Sequence, residues 1–402
     1  MAHKRTLKKP QHSPLRVALA FPVRLAHLHT VVQGIADYAH EHGNWVFTTS
    51  GEANDLPIQS LRRWQGDGII TSFGTEIEAR AARRMKIPVV TFVALVQNPG
   101  IPRVMMDQAA IGGLAAEHLL SRGFRQFGFY GVEGAGYSIA REAEFSARIA
   151  AKNFSVFRYI SPNMMMHEQL WDNAIYGLCK WIKKLPTPIG VFAVSDARAR
   201  MLADACLLAG RKVPEEMGII GVDNNEIDCE FGSPKLTTIE CDWWKVGFQV
   251  AHLLDQLMNG EPAPSSDQLI APGGVIPRES TDVMLVNHPV VAKAVEFAQT
   301  HLGEPFGVKA LVTEAGVSRR HLEVLFDSVL NRSPGDYIAE IRVQRAKELL
   351  RDRNMTLSRI SQACGFTDLR QFRRVFRRIE NMTPNLYRKN GTGNLRNGEN
   401  PK

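Results

Sequence analysis

Apolar positions follow two different rhythms along this chain. Up to about residue 280, short apolar runs alternate with amphipathic stretches. The runs include Arg16–Phe21, Gly68–Thr71, Pro88–Phe92, Phe127–Tyr130, Ile189–Val194 and Met217–Val222. Segments such as Thr30–His42 and Ala109–Arg122 lie between them and carry helical spacing. Alternation of strand and helix predicts parallel sheets covered by helices, and so many units over this length suit two α/β lobes better than one. From about residue 289 the pattern becomes helical throughout. The predicted architecture is a two-lobed α/β domain followed by an all-α domain.

The helical part contains an internal repeat. One unit runs through Leu311, Ala315-Gly316-Val317-Ser318, Phe326, Ser333-Pro334 and Tyr337. The other runs through Ile360, Cys364-Gly365-Phe366-Thr367, Phe376, Thr383-Pro384 and Tyr387. The offset is 49 at the glycines and 50 at the Phe, Pro and Tyr positions, which implies one residue gained inside the second unit's central helix. Gly316 and Gly365 suit a helix stop, where positive φ carries no penalty for glycine. Ser318 and Thr367 are expected to cap the following helices, and Ser333-Pro334 and Thr383-Pro384 pair a cap with proline at the first helical position. The result is helix, tight turn, helix, twice. A long helix over Gly335–Arg353 is expected to link the units rigidly and to fix the separation of two reading helices, about 34 Å for adjacent major grooves.

Charge strengthens this picture. From Pro289 onward there are 20 Lys and Arg against 12 Asp and Glu, whereas the first 288 residues hold 29 of each, so the whole net +8 sits in the C-terminal quarter. In the stretch Asp368–Ile379, Phe372, Val375, Phe376 and Ile379 form one apolar stripe and Arg370, Gln371, Arg374 and Arg377 lie off it. A helix anchored by two Phe that carries arginine outward fits a major groove of double-stranded DNA. A solvated surface helix would share that amphipathy, but not the repeat around it. The start, Met1–Arg16, is basic and is followed by no apolar run, so it reads as a disordered tail rather than a secretory leader. No apolar stretch approaches the length of a membrane span. Five scattered cysteines without a C-x-x-C pair argue against a disulfide framework or a zinc site and fit a reducing cytoplasm.

Ligands of parallel α/β sheets bind beyond the carboxyl ends of the strands. Here those ends carry Asp107, Ser195-Asp196 and Asp223-Asn224-Asn225. Carboxylates there suit a polyhydroxyl ligand, since one carboxylate accepts from two neighbouring hydroxyls. A single such Asp is more often a helix cap, but three at successive strand ends favour a site, and one residue can do both.

The repeat, with Ala315–Leu322, Ile341–Leu350, Ile360–Thr367 and Thr383–Arg388, resembles the AraC/XylS-type DNA-binding domain over about 289–390. By position, that resemblance assigns base reading to Arg320 and Glu323 in the first unit and to Arg370, Gln371 and Arg374 in the second. It assigns phosphate contacts to Arg319 and Arg377, and a thymine-methyl contact to Leu369. The earlier region, at Val194–Ala199, Ile220–Asn224, Leu236–Ile239 and Val275–Thr281, resembles the LacI/GalR and periplasmic sugar-binding fold. By position, the resemblance implies Arg141, Ser195 or Asp196, and Asp223 as ligand residues; Asp107 joins them from its strand end, and Trp243 or Trp244 either stacks on an apolar sugar face or is a buried core residue. LacI-type proteins carry their reader first, whereas here it comes last. That order, with Trp64–Ile70 and Ala193–Arg200, resembles the regulators of xylose-type operons. In that family the loop after the first strand tends to be polar, and here it holds His27-Leu28-His29.

The expected organisation is therefore a tail at 1–14, a sugar-sensing domain at 15–283, a DNA-binding domain at 289–390 and a tail at 391–402. Lobe 1 is expected at about 15–122 and 242–267, and lobe 2 at about 123–241 and 268–283. The resemblance implies a cytoplasmic, sugar-responsive homodimer without membrane contact that activates a pentose operon with RNA polymerase. A different sugar, or repression, is the alternative. No catalytic set is evident: G-x-S-x-G is missing, and Gly131–Gly136 completes neither the dinucleotide fingerprint nor the P-loop and reads as a mobile cleft loop. His27-x-His29 and His40-x-His42 lack a third ligand, so no metal or cofactor is expected. An α/β enzyme fused to a DNA reader is the competing class.

Overall fold

The computed structural model describes residues 14–23, 26–42, 44–49, 56–92, 95–96, 100–162, 171–283, 285, 288–330, 332, 333–350, 352 and 354–390. Residues 1–13 and 391–402, nearly all of the expected tails, lie outside these residues. Contacts divide the chain into two compact units, essentially 1–283 and 284–402.

The first unit opens with β1 (Leu15–Ala20), α1 (Ala26–His42), β2 (Trp45–Thr48), β3 (Gly68–Thr71), α2 (Glu76–Arg83), β4 (Val89–Thr91) and β5 (Val104–Met106). It continues with α3 (Gln108–Ser121), β6 (Phe127–Val132), α4 (Gly136–Ala150), β7 (Val156–Ser161), α5 (Trp171–Ile182), β8 (Ile189–Ala193) and α6 (Asp196–Ala209). It closes with β9 (Met217–Asp223), α7 (Glu226–Glu230), β10 (Thr237–Glu240), α8 (Trp243–Met258), β11 (Gln268–Ile270) and β12 (Gly274–Ile276). One sheet has the order β2-β1-β3-β4. A single bridge from Thr91 to Arg103 leads on to β5, which pairs with β11. The second sheet has the order β12-β10-β9-β8-β6-β7, parallel except for β12.

The central strands are apolar because both their faces are covered. All of β8 is buried, as is β9 up to Asp223. Separate cores lie beneath the two sheets, one around Ala18, Ile69, Phe73 and Val89, the other around Tyr130, Leu178, Ile189 and Ile219. One detail of the pairing bears on the expected lobe boundary. The ladder of β11 against β5 runs from Gln268↔Val104 to Ile270↔Met106, which places 268–270 with the first lobe. Backbone pairing sets that boundary, and it leaves no mark in the hydrophobic pattern. The stretch 27–29 is also not a loop, since α1 starts at Ala26. Gly131-Val132 belongs to β6 and Gly136 to α4, so only 133–135 connects them.

The second unit is all helical: α9 (Pro289–Thr300), α10 (Val308–Ala315), α11 (Arg319–Leu330), α12 (Pro334–Leu350), α13 (Leu357–Ala363), α14 (Leu369–Glu380) and α15 (Pro384–Asn390). It has two cores. Leu311, Leu322, Phe326 and Tyr337 centre the first, and Ile360, Phe366, Phe372 and Phe376 the second. Helix α12 enters both, through Tyr337 and Ile338 at one end and Val343, Ala346 and Leu350 at the other. It is the predicted linking helix, 17 residues long and so about 26 Å. Gly316 and Gly365 stand at φ 66° and 69°, the left-handed geometry each tight turn requires.

The residue gained in the second unit is not inside the central helix. Both reading helices have 12 residues. Asp368, not Thr367, caps α14 by accepting from the Gln371 backbone at 2.7 Å, whereas Ser318 accepts from the His321 backbone at 3.2 Å, as expected. The extra residue therefore lengthens the turn after Gly365, and the two helices correspond at a constant offset of 50.

Candidate functional sites

The candidate sensor site lies where β5, β6, β8 and β9 end. Helices α3 and α4 meet backbone to backbone at Gly112, where an added Cβ would lie 2.4 Å from the Arg141 carbonyl. That approach brings Arg141 Nε within 2.7 Å of Gln108 Oε1. The guanidinium also donates to the Val194 carbonyl and lies 5.2 Å from the Tyr137 ring centre. Arg141 is only 3% exposed, and its hydrogen bonds go to the Gln108 side chain and the Val194 carbonyl, with the Tyr137 ring beside it. Across from it, Asp223 sits at φ 108° and Asn224 at φ 54°, a left-handed pair that non-glycine residues adopt at a cost of about 1–3 kcal/mol each.

What holds this strained turn is Asp196. Its carboxylate accepts from Thr238 Oγ1 at 2.6 Å and from the Asn225 backbone at 2.8 Å. Gly221 makes the room, since a Cβ there would lie 2.2 Å from Asp196 Oδ1. Burial, and then the neighbouring Asp223 charge, push the Asp196 carboxyl up to about 7. Both Asp196 oxygens are engaged internally, so it braces the turn behind Asp223, and a ligand contact from it would use a remaining lone pair. Arg141, Asp223 and Asp196 share one electrostatic neighbourhood. The buried Cys241 thiol is raised well above its ordinary value by burial and then by Asp223, with Arg141 opposing. Burial likewise raises Tyr137, which feels both Arg141 and Asp223.

The other expected contacts sit at the margins of this group. Asp107 Oδ1 accepts from the Ala110 backbone at 2.9 Å, and Ser195 Oγ from the Arg198 backbone at 3.4 Å, so both cap helices. Trp243 opens α8, half-buried, and its buried indole N–H meets no acceptor among the described residues. Trp244 points elsewhere: it stacks on Phe248 and donates to Asp37 Oδ2 at 2.8 Å, between α8 and α1. Gln108, Tyr137 and Arg198 were not foreseen. Arg198 donates to the Tyr130 hydroxyl at 2.8 Å, to Ser161 Oγ at 2.6 Å and to the Pro162 carbonyl at 3.2 Å. Phe21 and Phe92, at the ends of β1 and β4, were also missed; they pack edge to face at 4.9 Å. An aromatic directly after a strand was the only available signal.

The second site lies on α14. Phe372 and Phe376 are fully buried and hold the helix down. Helical geometry then turns Arg370, Arg374 and Arg377 outward. They and Arg373 are exposed, and among the described residues none of the four pairs with an acid. Gln371 is half-buried, and its Oε1 accepts from the Thr367 amide at 3.0 Å and hydroxyl at 2.9 Å. Leu369 packs at the margin of the core. On α11, Arg320 is exposed, and Arg319 Nε holds Glu323 Oε1 at 2.9 Å.

Known proteins share both halves. A periplasmic binding protein-like domain matches residues 116–281, and a helix-turn-helix domain matches 311–390. The xylose operon regulatory protein of Haemophilus influenzae is 28% identical over 93% of this chain and 98% of its own length. That of Escherichia coli strain K12 is 27% identical over 93% and 96%. A solved xylose-binding transcription activator superposes with a TM-score of 0.60 at 27% identity, covering 93% of this chain and 98% of its own. Among the described residues, no helix is long and apolar enough to cross a membrane.

Proposed function

We propose that this chain, a DNA-binding transcription regulator with a periplasmic-binding-protein-like sensor domain and an AraC-type helix-turn-helix domain, answers to a pentose of the xylose type and activates the genes for its use. The observation that carries the reading is similarity to xylose operon regulators through both domains in the same order. The cleft chemistry agrees with a sugar. Arg141, steadied by Gln108 and the Val194 carbonyl, offers the rest of its guanidinium to a hydroxyl or ring oxygen. Asp223 accepts from adjacent hydroxyls, and Trp243 contributes a ring face or its indole N–H. Ser195 and Asp107 keep lone pairs beyond those spent on capping.

Regulation follows from linkage. A sugar bound between the lobes favours the closed sensor, and closure alters DNA binding only as far as the two states differ in affinity. Arg320, Glu323, Arg370, Gln371 and Arg374 then read bases, with Arg319 and Arg377 on phosphates. A cytoplasmic homodimer on paired half-sites, in contact with RNA polymerase, completes the proposal.

A thermal-shift screen of pentoses and hexoses tests it, because a ligand bound to the folded state raises the melting temperature. A rise with xylose that disappears in Asp223→Ala is expected. A rise with another sugar would keep the architecture and replace the effector; an unchanged response in Asp223→Ala would remove the cleft assignment.

A further inference from the structure

The two reading helices share length and register but not character. With the constant offset of 50, Arg320 corresponds to Arg370, Val324 to Arg374 and Asp327 to Arg377. At about 100° per residue these three positions form the line farthest from the core stripe of each helix. That line is arginine throughout on α14. On α11 it runs cation, apolar, anion. The remaining charge on α11 is also compensated, since Arg319 is spent on Glu323 at 2.9 Å. Helix α14 holds five Arg and one Glu; Arg378 faces Asp336 at 3.3 Å and Glu380 faces Lys347 at 3.1 Å, leaving four arginines uncommitted.

A carboxylate at Asp327 repels phosphate, so the second half of α11 is disfavoured close to a DNA backbone. Only its first turns can approach, where Arg320 and Val324 stand. Val324 is 61% exposed. A single exposed valine needs no explanation on a protein surface. This one occupies the position at which its counterpart helix presents Arg374. Its two methyl groups match the one apolar feature of a major-groove edge, the C5-methyl of thymine.

We infer that the two units divide the recognition of DNA. Helix α14 supplies most of the affinity, through Arg373 and Arg377 on phosphates beside Arg370 and Arg374 at base edges. Helix α11 supplies discrimination at little net charge, with Val324 against a thymine methyl. This rests on the reading of the chain as a DNA-binding regulator.

The test uses the full chain and a duplex that the wild-type protein selects from a randomised library, with binding followed by fluorescence anisotropy against salt. The double variant Arg373→Gln, Arg377→Gln is expected to weaken selected and random duplexes alike, at least tenfold. Its log K against log salt slope should flatten by about 1.8, the loss of two phosphate contacts. Val324→Ala is expected to weaken only the selected duplex, about fourfold for one buried methyl-sized contact, with the slope unchanged. Replacing one thymine of that duplex by deoxyuridine should cost the wild type the same factor and cost Val324→Ala nothing further. If every deoxyuridine costs both proteins equally, or Val324→Ala binds as wild type does, the division of labour is wrong while DNA binding stands. If the wild type enriches no sequence and the arginine variant binds as it does, the DNA-binding reading itself falls.

Discussion

The sensor and the reader use charge in opposite ways. In the sensor, Arg141, Arg198 and Asp196 are 3%, 8% and 1% exposed, and each is met by hydroxyls, carbonyls or amides. In the reader, Arg370, Arg373, Arg374 and Arg377 point into solvent, and no acid among the described residues pairs with them. A buried ionisable group in a satisfied network holds a shape, and its loss is felt as instability. An exposed uncompensated charge contributes little to folding and stays available to a partner. The same residue type therefore predicts different phenotypes according to where the fold places it.

The sharpest way to break that contrast is through pH. Asp196 titrates near 7 in the folded chain and near 3.9 unfolded, so the folded state holds a proton that the unfolded state has released. Sensor stability is expected to fall as pH rises from about 4 through 7, by on the order of 4 kcal/mol in total, and to level off above. Urea unfolding at several pH values, followed by tryptophan fluorescence, measures it, and Asp196→Asn should flatten the profile. A wild-type profile that is already flat would mean that Asp196 is not a buried protonated brace.

Next in size, Arg198→Met removes the donor to Ser161 Oγ, the Tyr130 hydroxyl and the Pro162 carbonyl and should cost about 3 kcal/mol in the same experiment. Arg374→Ala should do the reverse. Specific DNA affinity should drop by about 10- to 100-fold while stability changes by less than about 0.5 kcal/mol. If Arg374→Ala destabilises the fold as much as Arg198→Met does, the contrast collapses. The smallest effect belongs to Arg319→Ala: its exposed pair with Glu323 should leave the melting temperature within about 1 °C.

The sequence showed the reader well because its signals are local. Glycine turns, Ser-Pro and Thr-Pro caps and a paired Phe stripe all lie within a few positions of what they control. The one misplaced detail, the inserted residue, came from neighbouring candidates, Thr367 and Asp368, for a single cap. The sensor's class was equally legible from strand and helix alternation. Its site was not. Gln108 meets Arg141 across 33 positions and Thr238 meets Asp196 across 42, so whether a carboxylate at a strand end is free or engaged depends on distant residues. Trp243 and Trp244 are adjacent in sequence, but helical rotation turns Trp244 onto Asp37 and leaves the Trp243 indole N–H buried without an acceptor among the described residues.

Helix α12 sets limits on how this reader can diversify. It is anchored in both cores, so one added residue would rotate everything beyond it by about 100° and advance it about 1.5 Å. The second reading helix would then lose the groove phase set by the first. Seven added residues nearly restore the heading but move the second unit about 10 Å, roughly three base pairs. The distance between the two boxes of a half-site is thus a stepped quantity, not a graded one. New targets are within reach through side chains on α11 and α14, while the interval between boxes passes unchanged from one target to the next.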